Sequence, residues 1–143
     1  MTIWQRKMCL TSLNALNKDT LMETLGIEFV DFTDRSLTAS MPIGPKVHQP
    51  LGLLHGGASV ALAESVGSLA ANLAVPEGSY CLGLDINANH VKSARNGRVF
   101  AKAEPLHLGK QTQVWGIDIS DESGGTICIC RLTMVVRHNK KAG

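Results

Sequence analysis

The stretch from His48 to Ala74 decides the architecture: HQPLGLLHGG over residues 48–57, then ASVALAESVGSLAANLA over residues 58–74. The first part holds Pro50 and Gly52 and closes on the pair Gly56-Gly57, a loop turning into a helix. Backbone N–H groups left bare there sit at the positive end of the helix dipole, where an anionic oxygen can approach. The second part is small and apolar, with Glu64, Ser68 and Asn72 at i, i+4 and i+8 on a single seam. Glu64 is the one charge in an otherwise buried pattern. A lone Glu can reach solvent or pair with an Arg elsewhere, but a buried one is rare unless paired or functional, which makes Glu64 the candidate for chemistry. The apolar run of 17 residues carries a charge, and a membrane span needs roughly 20 apolar residues, so the segment reads as a buried helix of a globular protein.

Pro76 ends this helix, and the period then switches to two. Leu82, Leu84, Ile86 and Ala88 alternate with Gly83, Asp85, Asn87 and Asn89. Val99, Ala101 and Ala103 follow, then Trp115, Ile117 and Ile119, and a Gly124-Gly125 turn leads into Thr126–Val136. Short connections predict antiparallel neighbours, with Ser93-Ala94-Arg95-Asn96-Gly97 read as a turn. Upstream, Leu10–Asn17 and Thr20–Leu25 have helical character, with Asp19 as N-cap and Gly26 as stop. Ile27–Thr33 and Ser36–Met41 read as a hairpin. Two strands before one long helix and four after it predict an α+β fold, a curled antiparallel sheet wrapped about the helix.

At 143 residues the chain reads as a single domain over 1–143, with an N-terminal helical segment over 1–26 and a flexible tail over 137–143. The start MTIWQRKMCLTSLN is too polar for a signal peptide, which places the protein in the cytoplasm. Cys9, Cys81, Cys128 and Cys130 lack CxxC spacing, and the five histidines show no paired-ligand spacing, so no metal is expected. A net charge of +2 gives no argument for nucleic acid. Locally, Lys92, Arg95 and Arg98 surround one turn and Lys110 sits in a second Gly-containing loop. Two loops could hold phosphates, or both could be solvated hairpin tips.

The stretches QPLGLLHGGASVALAES, GLDINANHVKSAR, PLHLG, QVWGIDI and CRLT together resemble the hotdog-fold acyl-CoA thioesterases. The resemblance is to the branch holding 4-hydroxybenzoyl-CoA and phenylacetate-pathway thioesterases. Within it the chain is most similar to the 1,4-dihydroxy-2-naphthoyl-CoA hydrolases of menaquinone biosynthesis and the enterobactin proofreading thioesterase. It implies cofactor-free hydrolysis of an aryl-CoA thioester such as a dihydroxynaphthoyl or hydroxybenzoyl ester. Glu64 would be the nucleophile or general base, the Gly56 N–H and Gln49 would polarise the carbonyl, His55 would orient groups at the loop, and Ser68 would hold the water or intermediate. Gly83, His90, Val91, Lys92 and Ser93, with His107, Leu108, Gly109, Lys110, Gln111 and Thr112, match positions contacting CoA, and Arg95 joins them on charge. Many family members have Phe where this chain has Leu51; with Ala71 and Asn72 assigned to the pocket side of the helix, this leaves acyl preference open.

Such chemistry suits the residues: a thioester needs a nucleophile or base and a donor for the developing oxyanion, since the thiolate leaves without much help. Gly56 and Glu64 lie eight residues apart, roughly 12 Å along a helix at about 1.5 Å per residue, too far to meet one carbonyl. A homodimer with shared sites follows, and the family often pairs again into a homotetramer. Two other readings stay open: a hotdog dehydratase or hydratase using His55 or His90 with Glu64, and a non-catalytic acyl-CoA binding subunit.

Overall fold

The computed structural model describes residues 1–139. Two short helices, α1 (Leu10–Ala15) and α2 (Leu21–Leu25), precede the strands β1 (Glu28–Phe32) and β2 (Leu37–Ile43). The long helix α3 (Gly56–Leu73) is followed by β3 (Ser79–His90), β4 (Gly97–Leu108), β5 (Thr112–Asp121) and β6 (Thr126–His138). All strand pairs are antiparallel in one six-stranded sheet of order β1-β2-β4-β5-β6-β3. This is the hotdog fold, with α3 packed on the concave side against β2 to β6.

One face of α3, made by Ser59, Leu62, Ala63, Val66, Gly67, Ala70, Ala71 and Leu73, is buried. Gly67 sets the approach of helix to sheet: a Cβ there would lie 2.6 Å from Leu132 Cδ2 and 2.8 Å from Ile117 Cδ1, so even Ala would push the layers apart. The inward residues of β4 and β5 are as the alternation predicts, with Val99, Ala101, Ala103, Trp115, Ile117 and Ile119 fully buried. The N-terminal segment adds Trp4, which stacks on Trp115 with centroids 6.3 Å apart and donates from Nε1 to Thr33 O at 2.7 Å.

Five expectations are corrected. First, Ser93–Gly97 is no hairpin tip, because β3 and β4 do not pair. Residues 91–96 cross from the edge strand β3 to β4, over the turn between β5 and β6, with Val91 N–H and Lys92 N–H donating to Ile127 O. Three strand spacings of about 4.8 Å make roughly 14 Å, within the ~20 Å reach of such a connection. Second, Leu82 and Leu84 are 53% and 66% exposed while Cys81 is buried. A bulge between Gly83 and Asp85 shifts the register and re-aims the strand. Third, Thr20 is the N-cap of α2; Asp19 holds a left-handed φ of 60° in the turn before it, a conformation Asp tolerates. Fourth, Arg137 and His138 belong to β6 instead of a loose tail, with His138 Nδ1 2.7 Å from Ser79 Oγ; the rest of that tail beyond Asn139 lies outside the described residues. Fifth, Ala71 faces the core and not the pocket side of α3.

β3 hydrogen-bonds to β6 on one side only, so its 12 residues form a free edge, with Tyr80, Leu82 and Leu84 exposed beside it. No helix among the described residues is long and apolar enough to cross a membrane.

Candidate active site

The loop before α3 is braced by its own backbone: Gln49 N–H donates to Leu53 O at 2.8 Å, Gly52 N–H to Gln49 O at 2.9 Å, and His55 N–H to Val47 O at 2.8 Å. Gly52 adopts a φ of 75°, which glycine reaches without penalty. His55 caps the helix, its Nδ1 accepting from the Gly57 N–H at 2.8 Å. That bond fixes Nδ1 as the unprotonated nitrogen of this arrangement. The neighbouring Gly56 N–H has no partner among the described residues. Gln49 Oε1 accepts from the Leu51 N–H, which leaves its NH2 group as a donor with no partner among the described residues. Two donors, one backbone and one side chain, therefore stand at the positive end of an 18-residue helix.

These groups line a hollow of about 380 Å³ together with His90, Val91, Lys92, Ser93 and Ala94. The His90 ring lies over Gly56, where a Cβ would be 2.9 Å from Nε2. The crossover loop is tied to this rim by Leu54 N–H donating to Ala94 O at 2.7 Å and by His48 Nε2 at 2.8 Å from Arg95 O. Lys92 is engaged with Asp121 at 2.9 Å. With Ser123 and the Gly125 N–H also on it, the Asp121 carboxyl is held well below the usual carboxylate range. Arg98 donates to Ser40 Oγ at 2.9 Å. Of the predicted phosphate cluster, Arg95 keeps its guanidinium beside the loop at Gly52.

Glu64 lies two turns further along α3, half-buried, in a separate cleft of about 640 Å³. The floor is Val60, Ala61, Ser65, Ser68 and Leu69 of α3; Leu16, Asn17, Leu21, Met22 and Phe29 form the opposite wall. Its carboxylate makes no hydrogen bond or ion pair among the described residues. It rests against Gly83 of β3, where a Cβ would lie 2.6 Å from Oε1. Ser68 lines the same cleft, its Oγ meeting only Met134 Sδ at 3.8 Å. Asn72, third on the seam, is structural: its Oδ1 accepts from Cys81 N–H at 2.8 Å and its Nδ2 donates to Cys81 O at 3.2 Å, clamping α3 to β3.

The predicted residues thus fall into three places in one chain. Gln49, Gly56 and the 90–93 segment share one hollow; Glu64, Ser68 and Gly83 gather at another; His107 to Thr112 form the turn between β4 and β5, a strand's length, roughly 35 Å, from the crossover. No group of three His, Cys, Asp or Glu side chains converges among the described residues. Cys128 and Cys130 sit side by side with sulfurs 3.5 Å apart, and burial pushes the Cys130 thiol up to about 12.

Residues 51–128 match the Thioesterase superfamily, and the chain belongs to it: the protein is a hotdog thioesterase. It is 49% identical to the 1,4-dihydroxy-2-naphthoyl-CoA hydrolase of Escherichia coli, over 94% of this chain and 98% of that one. A crystal structure of a Pseudomonas aeruginosa thioesterase with a glutamine-to-alanine substitution superposes with a TM-score of 0.94 at 50% identity, covering 96% of this chain and 99% of that one. Two structures of a Staphylococcus aureus thioesterase, one with a glutamine and one with a glutamate replaced by alanine, superpose at 0.79 with 41% identity, over 82% of this chain and 98% of theirs.

Proposed function

We propose that the protein hydrolyses an aryl-CoA thioester of the dihydroxynaphthoyl or hydroxybenzoyl kind to the free acid and CoA, in the cytoplasm, as a dimer whose two sites each draw on both chains. The observation that carries this is the division of the machinery between two separate hollows along one helix: amide donors at Gln49 and Gly56, and the unpaired carboxylate of Glu64 about 12 Å along the axis. The thioester oxygen accepts from the Gly56 N–H and the Gln49 NH2, which stabilise negative charge as it develops. Glu64 of the facing chain attacks the carbonyl carbon, or takes a proton from the water that does, with Ser68 beside it; the C–S bond breaks and the thiolate of CoA departs, and where Glu64 is the nucleophile water then cleaves the acyl–Glu64 anhydride to the free acid and the carboxylate. The two substitutions in the Staphylococcus aureus protein lie fifteen positions apart, the separation of Gln49 and Glu64. The Escherichia coli relative supports the naphthoyl assignment, and with it menaquinone biosynthesis.

The free edge of β3 supports the pairing. Gly83 touches Glu64 and His90 touches Gly56, on the same strand. If the β3 edges of two copies pair antiparallel about a centre at Ile86 and Asn87, Gly83 of one stands opposite the partner's His90. Each carboxylate then approaches the donors of the other chain. Pairing of two such dimers into a tetramer would cover more of the exposed apolar surface, and would let the 107–112 turn of another chain approach the CoA.

Free thiol release from naphthoyl-, benzoyl- and acetyl-CoA in excess EDTA tests the activity. Aryl esters are expected to turn over fastest and to do so with chelator present; faster turnover of acetyl-CoA, or complete loss with EDTA, counts against this reading. Gly83→Ala tests the placement of the carboxylate. A methyl there displaces the end of a flexible side chain and no backbone, so kcat should fall about 10- to 100-fold through misplacement of the reacting group, with the thermal midpoint little changed. Unchanged kcat would show that Glu64 acts from another position.

A further inference from the structure

The donor Gln49 sits near the tip of a small hairpin that closes on itself. His55 N–H donates to Val47 O and Gln49 N–H to Leu53 O, both at 2.8 Å, with His48 and Leu54 paired opposite each other between them. Gly52 N–H donates to Gln49 O across the turn, and the Leu51 N–H holds Gln49 Oε1. All of these bonds lie inside residues 47–55, so they shape the hairpin without fixing where its tip points. Two further bonds tie it to the crossover between β3 and β4. Leu54 N–H donates to Ala94 O at 2.7 Å from one arm, and His48 Nε2 lies 2.8 Å from Arg95 O on the other. Among the described residues the His48 bond is the one side-chain hydrogen bond between the hairpin and residues 91–96.

The two ties differ in kind. A backbone amide donates whatever residue stands at 54, whereas the second bond exists only because position 48 carries a donor that reaches the crossover. A carbonyl can only accept, so Nε2 holds the proton and the ring donates. One hydrogen bond is a pivot; two, from opposite arms of a hairpin to successive carbonyls, fix its direction. The next residue is Gln49, whose NH2 has to stand within about 3 Å of the developing oxyanion, where a displacement of about 1 Å is costly. The crossover comes close at the tip as well, since a Cβ on Gly52 would lie 3.1 Å from Arg95 Nη1. We propose that His48 is a positioning residue for the hydrolysis: its bond to Arg95 O aims the Gln49 amide at the thioester oxygen. This rests on the reading above in which Gln49 polarises the carbonyl. His48 does not line the hollow itself and acts only through its neighbour.

The test measures kcat and KM on whichever of the naphthoyl-, benzoyl- and acetyl-CoA esters turns over fastest. His48→Phe keeps a ring and loses the donor, His48→Ala loses both, and His48→Gln places an NH2 about where the imidazole Nε2 stood. Each is made in the wild type and in Gln49→Ala, the latter assayed at higher enzyme concentration. Phe and Ala should lower kcat about tenfold and change KM less than about twofold, because the Gln49 donor acts on charge that develops in the transition state. Gln should restore kcat to within about threefold of wild type. In the Gln49→Ala background the same substitutions should change kcat less than about twofold, since the group they aim is gone. Equal losses in both backgrounds overturn the proposal, as does rescue by Phe in place of Gln, the mark of a packing role. The bond lies at the surface, so the thermal midpoint should hold; donorless variants that fail to fold where His48→Gln folds would make the tie structural and also overturn it. If Gln49→Ala turns over like the wild type, the role of Gln49 falls and the proposal with it; if Gln49→Ala is impaired and His48→Phe is not, only the role of His48 falls.

Discussion

Glu64→Gln is expected to lower kcat by about 10²- to 10⁴-fold, the range for removing a positioned acid, base or nucleophile, with a much smaller change in KM. Gln keeps the shape of Glu, and the carboxylate makes no bond in the chain that its loss would break, so the thermal midpoint should hold. Glu64→Ala should give a similar fall in kcat. It leaves space beside Gly83 that water can enter, since the group is only half-buried. The comparison separates the two readings of the seam on α3: a structural Glu would affect the midpoint and leave turnover alone. Variants within threefold of wild type on the aryl ester would show that the seam is structural.

What could be read without coordinates was what is local to the chain. The Gly56-Gly57 helix start, the single charge at Glu64 and the alternation at Val99 to Ala103 and Trp115 to Ile119 depend on neighbours a few residues away, and each stands in the fold as written. What failed depended on partners distant in sequence. Pairing β3 with β4 is the natural expectation for a short connection, yet β3 belongs beyond β6, because six extended residues suffice to cross the three strand spacings between them. Leu82 and Leu84 look like core residues and face outward, because a bulge and a free edge release them. Gly83 reads as a CoA contact by resemblance, and its place as the wall against which Glu64 rests emerges only in the fold.

Complementation between two inactive chains tests the shared site most directly. Gln49→Ala removes the side-chain donor in one hollow, and Glu64→Ala removes the carboxylate in the other. In a heterodimer of the two, the native Gln49 of the Glu64→Ala chain faces the native Glu64 of the Gln49→Ala chain, so one site is whole and the other carries both lesions. Equal mixing under conditions that exchange chains puts about half of the population in heterodimers, and one intact site of two in each restores roughly a quarter of wild-type activity. Each mutant alone should show almost none, so the rise on mixing is large against its background. Exchange is checked by mass spectrometry of differently tagged chains. If heterodimers form and activity stays at the level of the separate mutants, Gln49 and Glu64 work within one chain. The inference from a separation of about 12 Å between the first turn of α3 and Glu64 would then be overturned.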